Sequence, residues 1–173
     1  KLQPPLGRLG WHSAAVAGTI GATAAAAKLL GLNQEQMENA LGIGVGQTSG
    51  VDQSAGTSAR SLQGGRAAMS GIMAAVLAQQ GATGARNAIE GGRGFFACFR
   101  RDVNVDEDEF IHQLGNPYDV IDPGIAFKVY PCGTSDHPPV EATLHLVEEH
   151  KINPRQVQAV RVKVRSREHT AFP

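Results

Sequence analysis

The segment from Ser13 to Leu30 consists almost entirely of small residues, and it limits how this chain can fold. The whole chain has 21 glycines and only 5% aromatic residues. Because side chains this small fill a core only when the backbones lie close together, the composition favours closely packed helices over a core of large side chains. Ser13 is suited to cap the first helix, and Gly31 is suited to end it.

Apolar residues that recur at helical spacing predict further helices after the first. Asn33 with Gln36 resembles a capping box and predicts the start of a second helix. A third helix is predicted over Gly64–Gln80, and a short helical turn over Arg86–Glu90. The polar segment Gln47–Ser61 is predicted to be a loop, and loops of this length are usually functional or mobile.

After Asn116-Pro117 the pattern changes to extended segments, one helix and the alternating run Val160–Arg165, which predicts a half-buried strand. We therefore expect an α+β fold class, in which residues 1–104 form part of an Ala/Gly-rich, all-helical domain and residues 105–173 form part of a smaller α+β domain. The acidic run Asp106–Glu109 is interpreted as a helix start. Since a lone strand needs partners, we also expect the chain to be a fragment or only partly covered here.

Composition excludes several classes of function. Lys+Arg and Asp+Glu number 16 each, a balance that favours neither nucleic acid nor a membrane surface as a partner. The two cysteines, Cys98 and Cys132, are not clustered and indicate reduced thiols, so a cytoplasmic location is expected. No pair of the six histidines has the spacing of a zinc site, and we expect no metal and no cofactor.

The run Gly42-x-Gly-x-Gly46 has only a superficial similarity to a phosphate-binding loop. The dinucleotide fingerprint follows a strand, whereas a helix is predicted here before the glycines. Small residues spaced for close helix packing are the preferred interpretation.

The stretch from Phe127 to Val140 carries the chemistry that the residues themselves indicate. Pro138 and Pro139 suit the first turn of a helix, so His137 is predicted to lie at a helix N-terminus, where free N–H groups and the dipole attract anions. Thr134, Ser135 and Asp136 are candidate caps for the same helix. Lys128 brings a positive charge before the loop. Together these features describe a carboxylate-binding acid/base site, and the alternative is a solvated lysine and histidine.

Four segments in order resemble the MmgE/PrpD family. They are the Lys-x-Tyr-Pro-Cys-Gly loop that ends in His-Pro, the Trp-His segment with its Ala-rich helix, the segment Arg60–Gly71, and Gly81-Ala-Thr-Gly84 followed by Ile89–Phe96. The resemblance covers nearly the whole chain. It implies an enzyme without an iron–sulfur cluster that acts on small di- or tricarboxylates, as a dehydratase, decarboxylase or epimerase, and it favours a homodimer.

The resemblance also implies which residues act. His137, Lys128 and His12 are expected to be catalytic. For His12, a structural histidine satisfied by a backbone carbonyl is the default from the residues alone, and the resemblance favours the active-site role. Substrate-binding roles are expected for Arg60, Gln63, Gly133 and Thr134. The family usually has lysine at position 60 and commonly histidine at position 63, so these two departures leave the exact reaction open. Two alternatives stay open: a non-catalytic or truncated remnant that serves assembly, and a small-molecule-binding or interaction module.

Overall fold

The computed structural model describes residues 6–99, 111–112 and 114–163. The chain divides into two compact units, Lys1–Val105 and Asp106–Pro173. The first unit contains the helices Ser13–Leu29 (α1), Gln34–Val45 (α2), Ser58–Gln79 (α3) and Phe95–Phe99 (α4), and the second contains His137–His150 (α5). None of the helices in the described ranges is long and apolar enough to cross a membrane.

The first three helices pack against one another through small residues. One core cluster consists of four alanines, Ala27, Ala40, Ala75 and Ala78, all almost completely buried. Gly71 of α3 lies so close to α1 that a Cβ atom there would stand 2.5 Å from Cβ of Ala22 and 2.6 Å from the backbone nitrogen of Thr23. The close helix packing predicted from the alanine and glycine content is therefore confirmed.

The glycine run in α2 has the packing role that was preferred for it. A Cβ atom on Gly42 would lie 2.6 Å from the backbone nitrogen of Ala85. One on Gly44 would collide with the hydroxyl of Thr23 in α1. These glycines let α2 approach its neighbours.

A second core cluster gathers large residues around the start of α1. Leu6, Val16 and Phe95 are its buried members. The ring centroids of Trp11 and Phe99 lie 4.8 Å apart in an edge-on contact. Because α4 packs its rings against Trp11, this cluster holds the segment that leads into α1 and so fixes the position of the next residue, His12.

The predicted helix boundaries need three corrections. His12, not Ser13, is the N-cap of α1, although Gly31 does follow the helix end with a positive φ of 67°. The third helix begins at Ser58, not at Gly64, because its first turns already pack beside the loop that precedes it. Residues 86–90 form turns rather than a helix. The capping box of Asn33 and Gln36 is confirmed, with both hydrogen bonds present.

The second unit carries α5, preceded by a short 3-10 helix, Thr134–Asp136, and followed by another, Pro154–Gln156. None of its described residues is buried. Residues 160–163 pair with no strand, and the rest of the predicted strand lies outside the described residues, as does the predicted helix start at Asp106–Glu109. A strand exists only through its ladder partners, so the α+β character of this unit stays a prediction.

Candidate active site

His12 is held at the N-terminus of α1 by a short antiparallel contact. Its backbone N–H donates to the carbonyl of Gly50 at 2.9 Å, and the N–H of Asp52 donates to the carbonyl of Gly10 at 2.8 Å. Trp11 and Val51 form the β-bridge between the two segments. The side chain of His12 is buried, with 8% of its surface exposed. The loop thus fixes an imidazole at a helix N-terminus, as the sequence predicts for this position.

Gln63 lies on α3 and connects His12 to the loop. Its Oε1 atom lies 2.8 Å from Nδ1 of His12. Its amide nitrogen donates to the carbonyl of Val51 at 3.2 Å and to the hydroxyl of Ser54 at 2.6 Å. Both ends of the amide therefore bond to protein groups.

Arg60 lies three residues before Gln63 on α3, and it is paired. Its Nη1 contacts Oδ1 of Asp52 and also donates to the Asp52 carbonyl at 3.4 Å. Both side chains are about one third exposed, at 35% and 36%. The positive charge expected for a substrate carboxylate is thus already balanced by Asp52.

Asp52 is the residue that sequence reasoning missed. It lies in the polar segment Gln47–Ser61, and the length of that segment was itself a sign of function. Within this segment, Val51 and the short 3-10 helix Asp52–Ser54 face the first turns of α3. The last residues of the segment, from Ser58, already belong to α3.

The residues expected in the second unit surround the start of α5. Lys128 is exposed, and it is not among the ion pairs formed within the described ranges. Gly133 is the N-cap of the 3-10 helix that begins at Thr134, and both residues are exposed. Of the candidate caps, Asp136 occupies the N-cap position of α5, but its side chain makes no capping hydrogen bond.

His137 is the first residue of α5, and Pro138 and Pro139 follow it in the first helical turn, as predicted. Its ring packs edge-on against Tyr130, with the centroids 5.3 Å apart and an interplanar angle of 76°. The hydroxyl of Tyr130 donates to Oε2 of Glu141 at 2.9 Å. This hydrogen bond, followed by partial burial and the nearby charges, raises the pKa of Tyr130 above its ordinary value of 10.0. Nε2 of His137 is buried and bonds to no described residue.

The structure thus brings the expected residues together in two groups. His12, Arg60 and Gln63 meet the same loop in the first unit. Gly133, Thr134 and His137 follow one another into α5 in the second unit, after Lys128. Within the described ranges, no three His, Cys, Asp or Glu side chains converge as metal ligands would.

A sequence model of the MmgE/PrpD N-terminal domain matches residues 2–108 of this chain. The chain belongs to the MmgE/PrpD family. The match includes His12, Arg60 and Gln63, whereas Lys128 and His137 lie beyond it.

Relatives of this MmgE/PrpD chain include cis-aconitate decarboxylases from a fungus and a mammal. The Aspergillus terreus protein is 34% identical over 143 residues, which is 79% of this chain and 29% of the relative. The Homo sapiens protein is 31% identical over 148 residues, 83% of this chain and 30% of the relative. The chain therefore spans less than a third of the length of these relatives.

Proposed function

We propose that this MmgE/PrpD chain takes part in a lyase reaction on small di- or tricarboxylates, with cis-aconitate as the first substrate to test. Proton transfer next to a carboxylate is the step shared by dehydration, decarboxylation and epimerisation. The names of the relatives favour decarboxylation among the three. We also propose that the protein is a homodimer. Light scattering in solution distinguishes a homodimer from a monomer.

The observation that carries this proposal is the state of His137. Buried ring nitrogens are normally satisfied by protein or water, yet Nε2 of His137 is buried without a partner in the described part of the chain. Its place at the start of α5 adds free backbone N–H groups and the positive end of the helix dipole. Nε2 of His137 is therefore suited to form a hydrogen bond with a carboxylate substrate.

The roles of the other residues follow from their chemistry. In a decarboxylation the bond from the departing carboxylate to its neighbouring carbon breaks, CO2 leaves, and the electron pair stays on the carbon framework. In the second unit, Lys128 would bind a remaining carboxylate and stabilise that developing charge. In the first unit, Arg60 would do so only by exchanging Asp52 for the substrate as its partner. A protonated His137 or His12 would then give its proton to the carbon. Gly133 and Thr134 would add a backbone N–H and a hydroxyl as donors.

The test is turnover of cis-aconitate by the natural polypeptide that carries these residues, measured as CO2 release with the product identified by NMR. We expect His137→Ala to reduce turnover by about 10²- to 10⁴-fold, the usual contribution of a general acid or base. His145→Ala is the matched control, because His145 lies on the same helix with its side chain 75% exposed. Near-normal turnover in His137→Ala would remove His137 from the reaction. 2-Methylcitrate is the second substrate to test, for dehydration.

A second candidate function, a non-catalytic module for binding or assembly, is favoured by the first unit. The charge of Arg60 is paired with Asp52, and Gln63 is a residue that cannot titrate. The two candidates separate by calorimetry, since an assembly module without a carboxylate pocket binds neither cis-aconitate nor citrate.

A further inference from the structure

The hydrogen bonds around Gln63 determine which way its amide points. The carbonyl of Val51 can only accept, so the Gln63 atom 3.2 Å from it is the NH2 group. The hydroxyl of Ser54 donates its hydrogen to the same carbonyl at 2.7 Å. It therefore accepts from Gln63 at 2.6 Å, and the two hydrogens of the amide nitrogen are both used.

The amide orientation in turn determines where the hydrogen of His12 lies. With the NH2 group facing the loop, Oε1 of Gln63 faces Nδ1 of His12 at 2.8 Å. An amide oxygen has no hydrogen to donate, so Nδ1 must carry one. In a neutral imidazole only one nitrogen is protonated, which leaves a lone pair on Nε2.

We propose that Gln63 is a positioning residue that holds His12 in the Nδ1–H tautomer and makes Nε2 the atom through which His12 exchanges a proton. The inference rests on the proposed function for the reaction in which that proton moves. It replaces direct substrate contact as the role of Gln63, because both ends of the amide are bonded to the protein. The hydrogen bonds that join His12, Gln63 and Val51 can be directed in only one way. The acceptors, Oε1 of Gln63 and the carbonyl oxygen of Val51, carry no hydrogen to donate.

A glutamine suits this role in a way that a titratable residue does not. Its amide neither gains nor loses a proton near neutral pH, so the orientation set by Val51 and Ser54 persists through a reaction cycle. The buried position of His12 keeps bulk water from competing for Nδ1, because only 8% of the residue is exposed.

The experiment is NMR on protein labelled with nitrogen-15 in histidine, at a pH where the imidazole is neutral. Long-range correlations between the ring carbons' protons and both nitrogens report directly which nitrogen is protonated. We expect Nδ1 of His12 to be protonated in the wild-type protein. We expect the Nδ1–H form to be lost in Gln63→Met and in the smaller Gln63→Ala, and to be kept in Gln63→Glu, which retains an acceptor.

Gln79→Met is the matched control, at the exposed end of the same helix. It should leave the tautomer of His12 unchanged. A wild-type His12 protonated at Nε2 would overturn the inference, as would an unchanged Nδ1–H form in Gln63→Met or Gln63→Ala. The wild-type measurement decides the matter even if a variant does not fold. The readout is independent of turnover: an Nδ1–H His12 in a protein that acts on no carboxylate would refute the proposed function alone.

Discussion

Tyr130 contacts the candidate residue His137 and also Glu141, which lies on the same helix. Its ring packs edge-on against His137, and its hydroxyl donates to Glu141 one turn further along α5. The neutral phenol is the form that can donate to the carboxylate, so the hydrogen bond raises the pKa of Tyr130 above 10.0. The contribution of this bond to stability is therefore fully present below pH 10 and is lost as the pH rises through the raised pKa.

We expect Glu141→Gln to lower the pKa of Tyr130 toward 10.0, because it removes the charged acceptor. The measurement is phenolate absorbance against pH in a Tyr118→Phe background, which leaves Tyr130 as the only tyrosine of the two in the chain. Glu148→Gln, on the exposed part of α5, is the control and should leave the titration in place. A Tyr130 titration that Glu141→Gln does not move would show that the hydrogen bond to Glu141 is not formed in solution.

Residue type predicts chemistry here better than it predicts partners. The sequence identifies a cation at position 60 and imidazoles at positions 12 and 137, and the structure places each at a helix start. It does not predict that Asp52 neutralises Arg60, eight positions later, because the pairing depends on how the loop before Ser58 returns to α3. The hydrogen bonds of Gln63 cannot be predicted from the sequence for the same reason.

At the scale of elements, signals confined to a few residues predict structure well. The capping box joins Asn33 and Gln36, which are three positions apart, and it forms as expected. The start of α3 was placed six residues too late because the polar, small residues up to Ser61 were interpreted as a loop. Gly64 and Gly65 also weaken the local helix signal, since each costs a helix about 1 kcal/mol relative to alanine. Packing of the small face of α3 on α1 offsets that cost, and no local pattern reports such a tertiary contact.

Gly71 and Gly64 provide a matched pair on this one helix. We expect Gly71→Ala to lower the free energy of unfolding by roughly 1–3 kcal/mol, as overpacking usually does, because its Cβ would stand 2.6 Å from the backbone of Thr23. Gly64 has nothing within 4 Å of a Cβ atom. Gly64→Ala should therefore raise the stability by up to about 1 kcal/mol. Urea denaturation of both variants measures the difference, and equal stabilities would contradict the close approach of α3 and α1.

At the scale of the whole molecule, charge is balanced. With 16 basic and 16 acidic residues the formal net charge of this chain is zero, so no excess of positive charge adds to the attraction of an anion. Affinity for the proposed carboxylate substrate would then come from individual cations and helix N-termini. Lys128, exposed and without an ion pair in the described ranges, is the candidate cation whose charge is least compensated.

Ligand-induced stabilisation tests this dependence on single charges. If cis-aconitate binds only the folded protein, a concentration of 100 times Kd adds about 2.7 kcal/mol to the free energy of unfolding, seen as a rise in Tm. Crotonate, a monocarboxylate at equal ionic strength, should give a smaller rise because it engages fewer cations. Lys128→Ala should reduce the effect of cis-aconitate, whereas Lys28→Ala, an exposed lysine in the last turn of α1, should not. An equal loss in both lysine variants would mean that diffuse charge attracts the ligand, and an absence of any rise in the wild-type protein would favour the assembly module over the lyase.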